Sequence, residues 1–231
     1  MAFRKLVVIP LFWGPKWSPK RTVFRSLTPD VNAVNMISGM WTVMRSWYME
    51  GLLCYGIEPG FVHPGTKLQD APPPLFKDDD CWNRIDQAIG DEQVPQPDDF
   101  GPEFWAHYAI FPQPVSKLVS NPDGIFGRNK GYHEGSEAWS TANSDLAGGI
   151  EYFAHEMVEG VSPNDRDIVD ECYPKGKVVI NGLTLQKYAI WEFRDDPGPW
   201  LPALHRVCWP DDEAVAAHRG FTSVARARMI R

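Results

Sequence analysis

The chain has 231 residues, a net charge of −7 and an isoelectric point near 5.4. This acidic balance argues against nucleic acid or an anionic membrane surface as the main partner, and no apolar run approaches the roughly 18 residues of a membrane span. With 43% apolar residues and 10 tryptophans, the chain can bury a substantial core within one large domain or two small ones.

The first predicted element is a buried strand over residues 6–13, with an exit turn at Gly14–Pro15. Basic residues precede this apolar run, as they do in a secretion signal. However, Pro10 and Trp13 interrupt the run, and no small-residue cleavage site follows it. We therefore expect an intracellular protein with reduced cysteines. The cysteines are Cys54, Cys81, Cys172 and Cys208.

A long helix is the next prediction. Thr28–Pro29–Asp30 is typical of a helix start, because threonine caps the first turn and proline suits its first position. Apolar residues at helical spacing then predict a helix that runs to about Leu53 and ends at Tyr55–Gly56. The segment 57–74 is rich in glycine and proline, and we expect a long irregular loop there.

The middle of the chain predicts a second helix and a strand. The acidic run 78–80 favours a helix N-terminus, because acids there complement the helix dipole, although metal binding is an alternative. A strand is predicted over 104–111, and Gly131–Tyr132–His133 is expected in an irregular segment. Further on, Asn181–Gly182 between apolar runs indicates a β-hairpin.

The segment 144–173 carries the main functional signal, the pattern H-E-x-x-E at His155, Glu156 and Glu159. Residues i and i+4 share a helix face, so His155 and Glu159 should project side by side, with Glu151 one turn earlier. In the related pattern H-E-x-x-H, the histidines hold zinc and the glutamate is the general base. A carboxylate can replace one imidazole as a ligand, so the pattern predicts a divalent metal, with zinc as first candidate.

Each residue of the pattern has a predicted role. Glu156 lies about 100° around the helix from the His155 row and is the expected general base. The acids that follow the helix offer a third ligand. These acids are Asp165, Asp167, Asp170 and Glu171. Manganese, iron and calcium are alternatives to zinc, because two carboxylates beside one imidazole form a hard site. The competing interpretation is an amphipathic helix with solvated acids.

Several segments resemble the exordium, or phosphate-induced, protein family. IPLFWGPKW is similar to its first strand and turn, and GYH at 131–133 is similar to its Gly-Tyr-His. The most specific pieces are HEMVEGVSPND, DIVDEC and LQKYAIWE. They resemble the family's His-Glu-x-x-Glu-Ala-x-Thr-Asp-Pro, its acid-Ile-x-Asp-x-Cys and its Tyr-x-x-Trp strand. The matching residues are His155, Glu156, Glu159, Asp170, Cys172, Tyr188 and Trp191. The family's Thr-Asp-Pro is Ser162–Pro163–Asn164 here, and the resemblance favours Asp170 over Asp165 as third ligand.

These observations predict a single α+β domain over 1–210, with 211–231 as a C-terminal helix and tail. A mixed sheet would pack on the long first helix and on the metal-site helix, in a zincin-like layout. We expect a metal-dependent hydrolase that acts on a peptide, an amide or another acyl compound. The catalytic candidates are Glu156, Tyr188 and His133, and the metal candidates are His155, Glu159, Asp165 and Asp170. The alternatives are an intracellular cyclase or lyase for a small molecule, and a non-catalytic binding module.

Overall fold

The computed structural model describes residues 4–17, 32–113, 117–118, 131–134, 137–140, 146–162, 168–172, 176–193 and 204–211. The strands are β1 (Arg4–Trp13), β2 (Ile57–Val62), β3 (Thr66–Leu68), β4 (Leu75–Phe76), β5 (Phe104–Pro112), β6 (Lys117–Leu118), β7 (Gly131–Glu134), β8 (Glu137–Ser140), β9 (Lys177–Ile180), β10 (Leu183–Gln186), β11 (Tyr188–Phe193) and β12 (Leu204–Trp209). The α-helices are α1 (Ala33–Met44), α2 (Asp78–Gly90) and α3 (Leu146–Gly160). The shorter 3₁₀ segments are Trp47–Tyr55, Pro97–Phe100 and Asp170–Cys172.

A mixed sheet organises the described residues, with strand order β2–β1–β5–β8–β7 and with β3 beside the last part of β1. All of its pairings are parallel except that of β7 with β8. Antiparallel pairs β9–β10 and β11–β12 lie outside this sheet. The predicted α+β class and mixed sheet are therefore confirmed.

The sheet separates two apolar cores, because alternate side chains of β1 point to opposite faces. Leu6 and Val8 belong to a core that includes α1 and α3, whereas Val7 and Ile9 belong to the core under α2. The strand predicted over 6–13 is confirmed, and its side chains are buried throughout. Such a continuous apolar run is typical of a parallel strand that is covered on both faces.

The predicted long first helix is wrong in its C-terminal half. The α-helix ends at Met44, and Ser46 is extended, with φ −87° and ψ 157°. The Ser46 hydroxyl donates to the carbonyl oxygen of Val43 at 2.6 Å, so the side chain competes for a backbone acceptor. The chain resumes as the 3₁₀ segment, which buries Tyr48 in the core. The proposed start at Thr28 lies outside the described residues, and Asn32 is the cap of α1.

The loop predicted over 57–74 is also wrong, because part of it forms β2 and β3 on the edge of β1. Glycine and proline suggested an irregular segment, but here they fit the sheet. A Cβ at Gly60 would lie 2.3 Å from the carbonyl oxygen of Leu6, so glycine permits a close backbone approach. The pairing register shifts at this point, between Leu6 and Val7.

Other local predictions have mixed outcomes. The strand over 104–111 is confirmed as β5, and the helix start at 78–80 is confirmed as the first turn of α2. The hairpin at Asn181–Gly182 is confirmed, with φ values of 52° and 82° that suit its turn. The irregular segment predicted around His133 is wrong, because residues 131–134 pair with β8.

The prediction of four reduced cysteines is wrong for two of them. Cys172 and Cys208 form a disulfide with Cα atoms 5.8 Å apart, and Cys54 and Cys81 remain as thiols. The fold brings these distant residues together. Ala189 pairs with Cys208 across β11 and β12, and its N–H also donates to the carbonyl oxygen of Ile168 at 2.7 Å. In the part of the chain that the structure describes, no helix is long and apolar enough to cross a bilayer. Residues 212–231 of the predicted tail lie outside that part.

Candidate metal centre

Helix α3 presents two different faces. One face is apolar and packs into the core with α1 and the sheet, through residues such as Phe153 and Met157. The opposite face carries Glu151, His155 and Glu159 one turn apart and packs against β10. The acids of this row are not solvated, because Glu151 and Glu159 are both buried. The row predicted from the i, i+4 spacing therefore lies under the β9–β10 hairpin.

His155 and Glu159 are in direct contact. Nε2 of His155 lies 3.0 Å from Oε2 of Glu159, and only 3% of the Glu159 side chain is exposed. The other carboxylate oxygen, Oε1, accepts hydrogen bonds from the N–H groups of Val169 at 2.8 Å and Asp170 at 3.1 Å. Two backbone donors therefore fix the carboxylate and leave Oε2 directed at the imidazole.

Asp170 brings a second carboxylate to the same ring nitrogen. Its Oδ1 lies 3.7 Å from Nε2 of His155, and its side chain is 65% exposed. This residue therefore forms the solvent side of the site. Of the third-ligand candidates, the structure brings Asp170 to His155, whereas Asp165 and Asp167 lie outside the described residues.

Glu156 lies closer to the row than its angular offset suggests. The side chain is buried, and a carboxylate oxygen lies within 4.8 Å of donor atoms of both His155 and Glu159. One imidazole and two carboxylates from a single helix turn are thus close enough to hold one ion. At this distance Glu156 could serve either as a ligand of a bound ion or as a base beside it.

The second ring nitrogen of His155 contacts Gln186, at the end of β10. Nδ1 lies 3.2 Å from Oε1 of Gln186, and Nε2 of that amide donates to Oε1 of Glu151 at 3.0 Å. Lys177 Nζ forms an ion pair with the same Glu151 oxygen at 2.5 Å. A carboxylate only accepts hydrogen bonds, so the amide nitrogen of Gln186 must face Glu151 and its oxygen must face His155. Nδ1 of His155 is therefore the donor in this contact.

The electrostatics of the site favour a positive charge on His155. Burial by itself would lower its pKa, but the hydrogen bond with Glu159 and the charges of Glu156, Glu159 and Asp170 together raise the pKa to about 9. Burial, with the charges of Glu159 and Glu151, also raises the pKa of Tyr48, whose hydroxyl donates to the backbone oxygen of Gln186 at 2.7 Å. The acids around His155 thus favour a positive charge on its ring.

Two distances at Nε2 of His155 can be compared with those in a metal site. Bonds of about 2.1 Å in tetrahedral geometry place neighbouring ligand atoms about 3.4 Å apart. The contacts of His155 Nε2 with Glu159 and Asp170 are 3.0 and 3.7 Å, on either side of that value. Each carboxylate therefore lies at a distance from Nε2 that two ligands of one small divalent cation could have.

The two other catalytic candidates have different positions. The hydroxyl of Tyr188 donates to the backbone oxygen of Tyr48 at 2.5 Å, and its buried ring packs edge-on against the Tyr48 ring. Tyr188 thus supports the segment behind the row and offers no group to a substrate. His133 lies on β7, a strand that packs against α3, but its side chain lies outside the described part.

Sequence reasoning missed Gln186, Lys177 and Tyr48. A strand was predicted around Gln186, but the sequence did not indicate that this strand covers the polar face of α3. Tyr48 was expected inside a continuous helix. Its position behind the row results from the helix break at Ser46, which was not predicted. None of these residues belongs to the H-E-x-x-E pattern.

An open groove of about 580 Å³ lies elsewhere in the described part of the chain. Its lining residues are Glu92, Gln93, Val94, Pro95, Gln96, Asp99 and Phe100. Of these, none supplies an imidazole, a thiol or a cation, so the groove offers little chemistry. The α3 row is the better candidate site, because it brings an imidazole and buried carboxylates together.

No family model, curated protein or solved structure matches this chain. The chemistry of the α3 row is therefore the basis of the function proposed below.

Proposed function

We propose that this chain is a metal-dependent enzyme of hydrolase type, with a divalent ion, first of all zinc, bound at His155, Glu159 and Asp170. One observation carries the proposal. Nε2 of His155 faces the carboxylate oxygens of Glu159 and Asp170, while Nδ1 is a donor to Gln186. A bare nitrogen lone pair opposite carboxylate oxygens is repulsive, so this position requires a cation, either a proton or a metal ion.

The position along α3 supports the same conclusion. Glu159 lies in the last turn of the helix, which ends at Gly160, and Glu156 lies just before that turn. The helix dipole is negative at this end, so it favours cations and disfavours carboxylates. A bound divalent ion would neutralise more of this buried charge than one proton does.

The proposed chemistry assigns one role to each side of the site. A bound ion would supply Lewis acidity and would lower the pKa of a water molecule towards about 7. Glu156, which is buried beside His155, would accept the proton from that water. Asp170 marks the exposed side, where a peptide, an amide or another acyl compound would enter. A cyclase or lyase reaction on a small molecule is the alternative for the same residues.

We also propose kinship with the exordium family. The support is that His155, Glu159 and Asp170, which carry the resemblance, are the residues that converge at this site. Cys172, another matching residue, lies two positions after Asp170 in the same 3₁₀ segment.

Metal binding can be tested by titrating chelator-treated protein with zinc in a calorimeter. We expect about one ion per chain, and we expect His155→Ala to lose at least the ~10–100-fold in affinity that loss of a supporting contact causes. His63→Ala is the matched control, because His63 is a partly buried loop histidine far along the chain from α3.

Absence of zinc, manganese and iron binding by the wild-type protein would contradict the proposal. The two backbone donors on Glu159 would then favour a structural role, in which the His155–Glu159 pair holds the 168–172 segment on α3. The chain would become a candidate binding module.

A further inference from the structure

A polar chain runs from the surface to the side of His155 that faces away from the proposed ion. It begins with the ion pair of Lys177 and Glu151, continues through the Gln186 amide and ends at Nδ1 of His155. The path starts at the surface and leads inward, since the Lys177 side chain is 55% exposed, the Glu151 side chain 11% and the His155 side chain 15%. Lys177 can only donate and Glu151 can only accept, so these two residues fix the direction of the Gln186 amide, and the amide oxygen makes Nδ1 of His155 the donor.

We propose that Gln186 is a positioning residue, which holds Nδ1 of His155 as a hydrogen-bond donor and so directs Nε2 to the cation between Glu159 and Asp170. This inference rests on the proposed metal site and assigns its supporting contacts. Histidine ligands in metal sites commonly donate their other ring N–H to a carbonyl or carboxylate, and this contact fixes ring orientation and strengthens the ligand. Gln186 Oε1 has that place here.

The rest of the molecule fixes which way round the Gln186 amide lies. Glu151 accepts from the amide nitrogen at 3.0 Å, and a reversed amide would place its oxygen against that carboxylate. The backbone of Gln186 is held independently, because the buried hydroxyl of Tyr48 donates to its carbonyl oxygen at 2.7 Å. Gln186 therefore cannot reverse without losing the contact with Glu151 and creating a repulsive one.

The contacts explain why the β9–β10 hairpin covers α3. Lys177 lies at the start of β9 and Gln186 at the end of β10, and the two residues are paired across the hairpin. Both side chains therefore reach the polar face of α3 from adjacent strands. The hairpin thus places Gln186 against Nδ1 of His155, which is the second polar contact of the imidazole.

The first arm of the test measures zinc affinity in a set of variants. We expect Gln186→Leu to weaken zinc binding ~10–100-fold, the usual effect of losing a contact behind a ligand. Gln186→Glu should also weaken binding, because it places two carboxylates together. Adding Glu151→Gln should restore affinity towards the wild-type value, because the amide at 151 can then donate to the carboxylate at 186. Thr184→Val, on the same strand and face, is the matched control and should bind zinc normally.

The second arm does not need zinc. In metal-free protein at neutral pH, NMR of ¹⁵N-labelled histidine should show an exchange-protected Nδ1–H proton for His155, assigned by its loss in His155→Ala. The signal should disappear or exchange faster in Gln186→Leu and return in the double variant. If Gln186 had only a structural role, its substitution would change the melting temperature. The Nδ1–H signal would not then be lost in Gln186→Leu and recovered in the double variant.

The outcomes separate the two proposals. Zinc binding that is equal in wild type and Gln186→Leu, or an Nδ1–H signal that Gln186→Leu leaves unchanged, overturns the positioning role and leaves the metal site standing. If the wild-type protein binds no zinc, manganese or iron, the metal site fails, and the Nδ1–H signal alone decides whether Gln186 orients His155. Affinity that falls in Gln186→Glu but does not return in the double variant also counts against the positioning role.

Discussion

Two acidic clusters in this protein occupy opposite ends of their helices. Asp78, Asp79 and Asp80 form the first turn of α2, whereas Glu156 and Glu159 lie near the C-terminus of α3. Asp80 satisfies the helix start directly, since its carboxylate accepts the N–H of Lys77 at 2.8 Å. The α2 acids face the positive end of a helix dipole, but the α3 acids face the negative end.

The difference shows that the number of adjacent acids is a poor guide to metal binding. The α2 acids are stabilised by their own helix and need no cation. The α3 acids are buried at the helix end where the dipole disfavours carboxylates. Of these acids, Glu159 contacts the His155 imidazole and two backbone N–H donors. Among the described residues, the three donors on α3 are the group that lies close enough to hold an ion.

The largest expected effect is on turnover in Glu156→Gln. The amide keeps the size of the side chain but cannot accept a proton from water. We predict that turnover falls by ~10²–10⁴-fold, as for loss of a general base, while zinc content and melting temperature stay near wild type. The measurement is a steady-state assay after a screen of peptides, esters and amides.

Zinc content is the control for that experiment. A variant that loses both zinc and turnover would make Glu156 a ligand instead of a base. Full turnover in Glu156→Gln, with metal present, would exclude the proposed proton transfer.

The next largest effect is expected for Glu159→Ala in metal-free protein. The change leaves the charge of His155 and the N–H groups of Val169 and Asp170 without their main partner. Breaking a buried pair in this way costs about 3–5 kcal/mol of unfolding free energy. Urea denaturation with chelator present measures the loss. A loss below about 1 kcal/mol would fit an exposed pair and contradict the burial of this row.

The charge of His155 predicts a pH effect of intermediate size. The folded protein raises the pKa of His155 to about 9, whereas an unfolded histidine titrates near about 6.5. The folded state thus binds this proton more tightly, so the stabilisation is fully present below pH ~6.5 and is lost as pH rises through about 9. Urea midpoints of the metal-free protein should fall over this window, and fall less in His155→Ala. An equal fall in both proteins would assign the effect to other groups.

Periodicity and turn chemistry predicted much of this molecule correctly. The buried run of β1, the Asn181–Gly182 turn and the amphipathic row on α3 depend on local spacing, and all three are found. The failures involve pairing between distant segments. Residues 57–68 become strands because β1 offers them an edge, and glycine at position 60 permits the approach.

The candidate site shows the same difference between features set by local spacing and features set by contacts between distant segments. The contact of His155 with Glu159 follows from their spacing on one helix, and Asp170 was named as a third-ligand candidate. Gln186 was not named, because its place depends on how the β9–β10 hairpin docks on α3. The disulfide of Cys172 and Cys208 was missed for a similar reason, since it depends on the pairing of β11 with β12.

The smallest expected effect belongs to the α2 cluster and completes the comparison. Asp80→Ala removes the acceptor for the Lys77 N–H and one acid from the first turn. Loss of such a helix-start contact costs about 0.5–1 kcal/mol, and zinc affinity should not change, because no α2 residue contributes to the proposed site. Asp79→Ala is the matched control, because Asp79 is exposed and should cost less. If Asp80→Ala instead lowers zinc content, or destabilises the protein as much as Glu159→Ala does, then helix position does not separate the two clusters, and the proposed preference of the α3 acids for a cation loses its electrostatic basis.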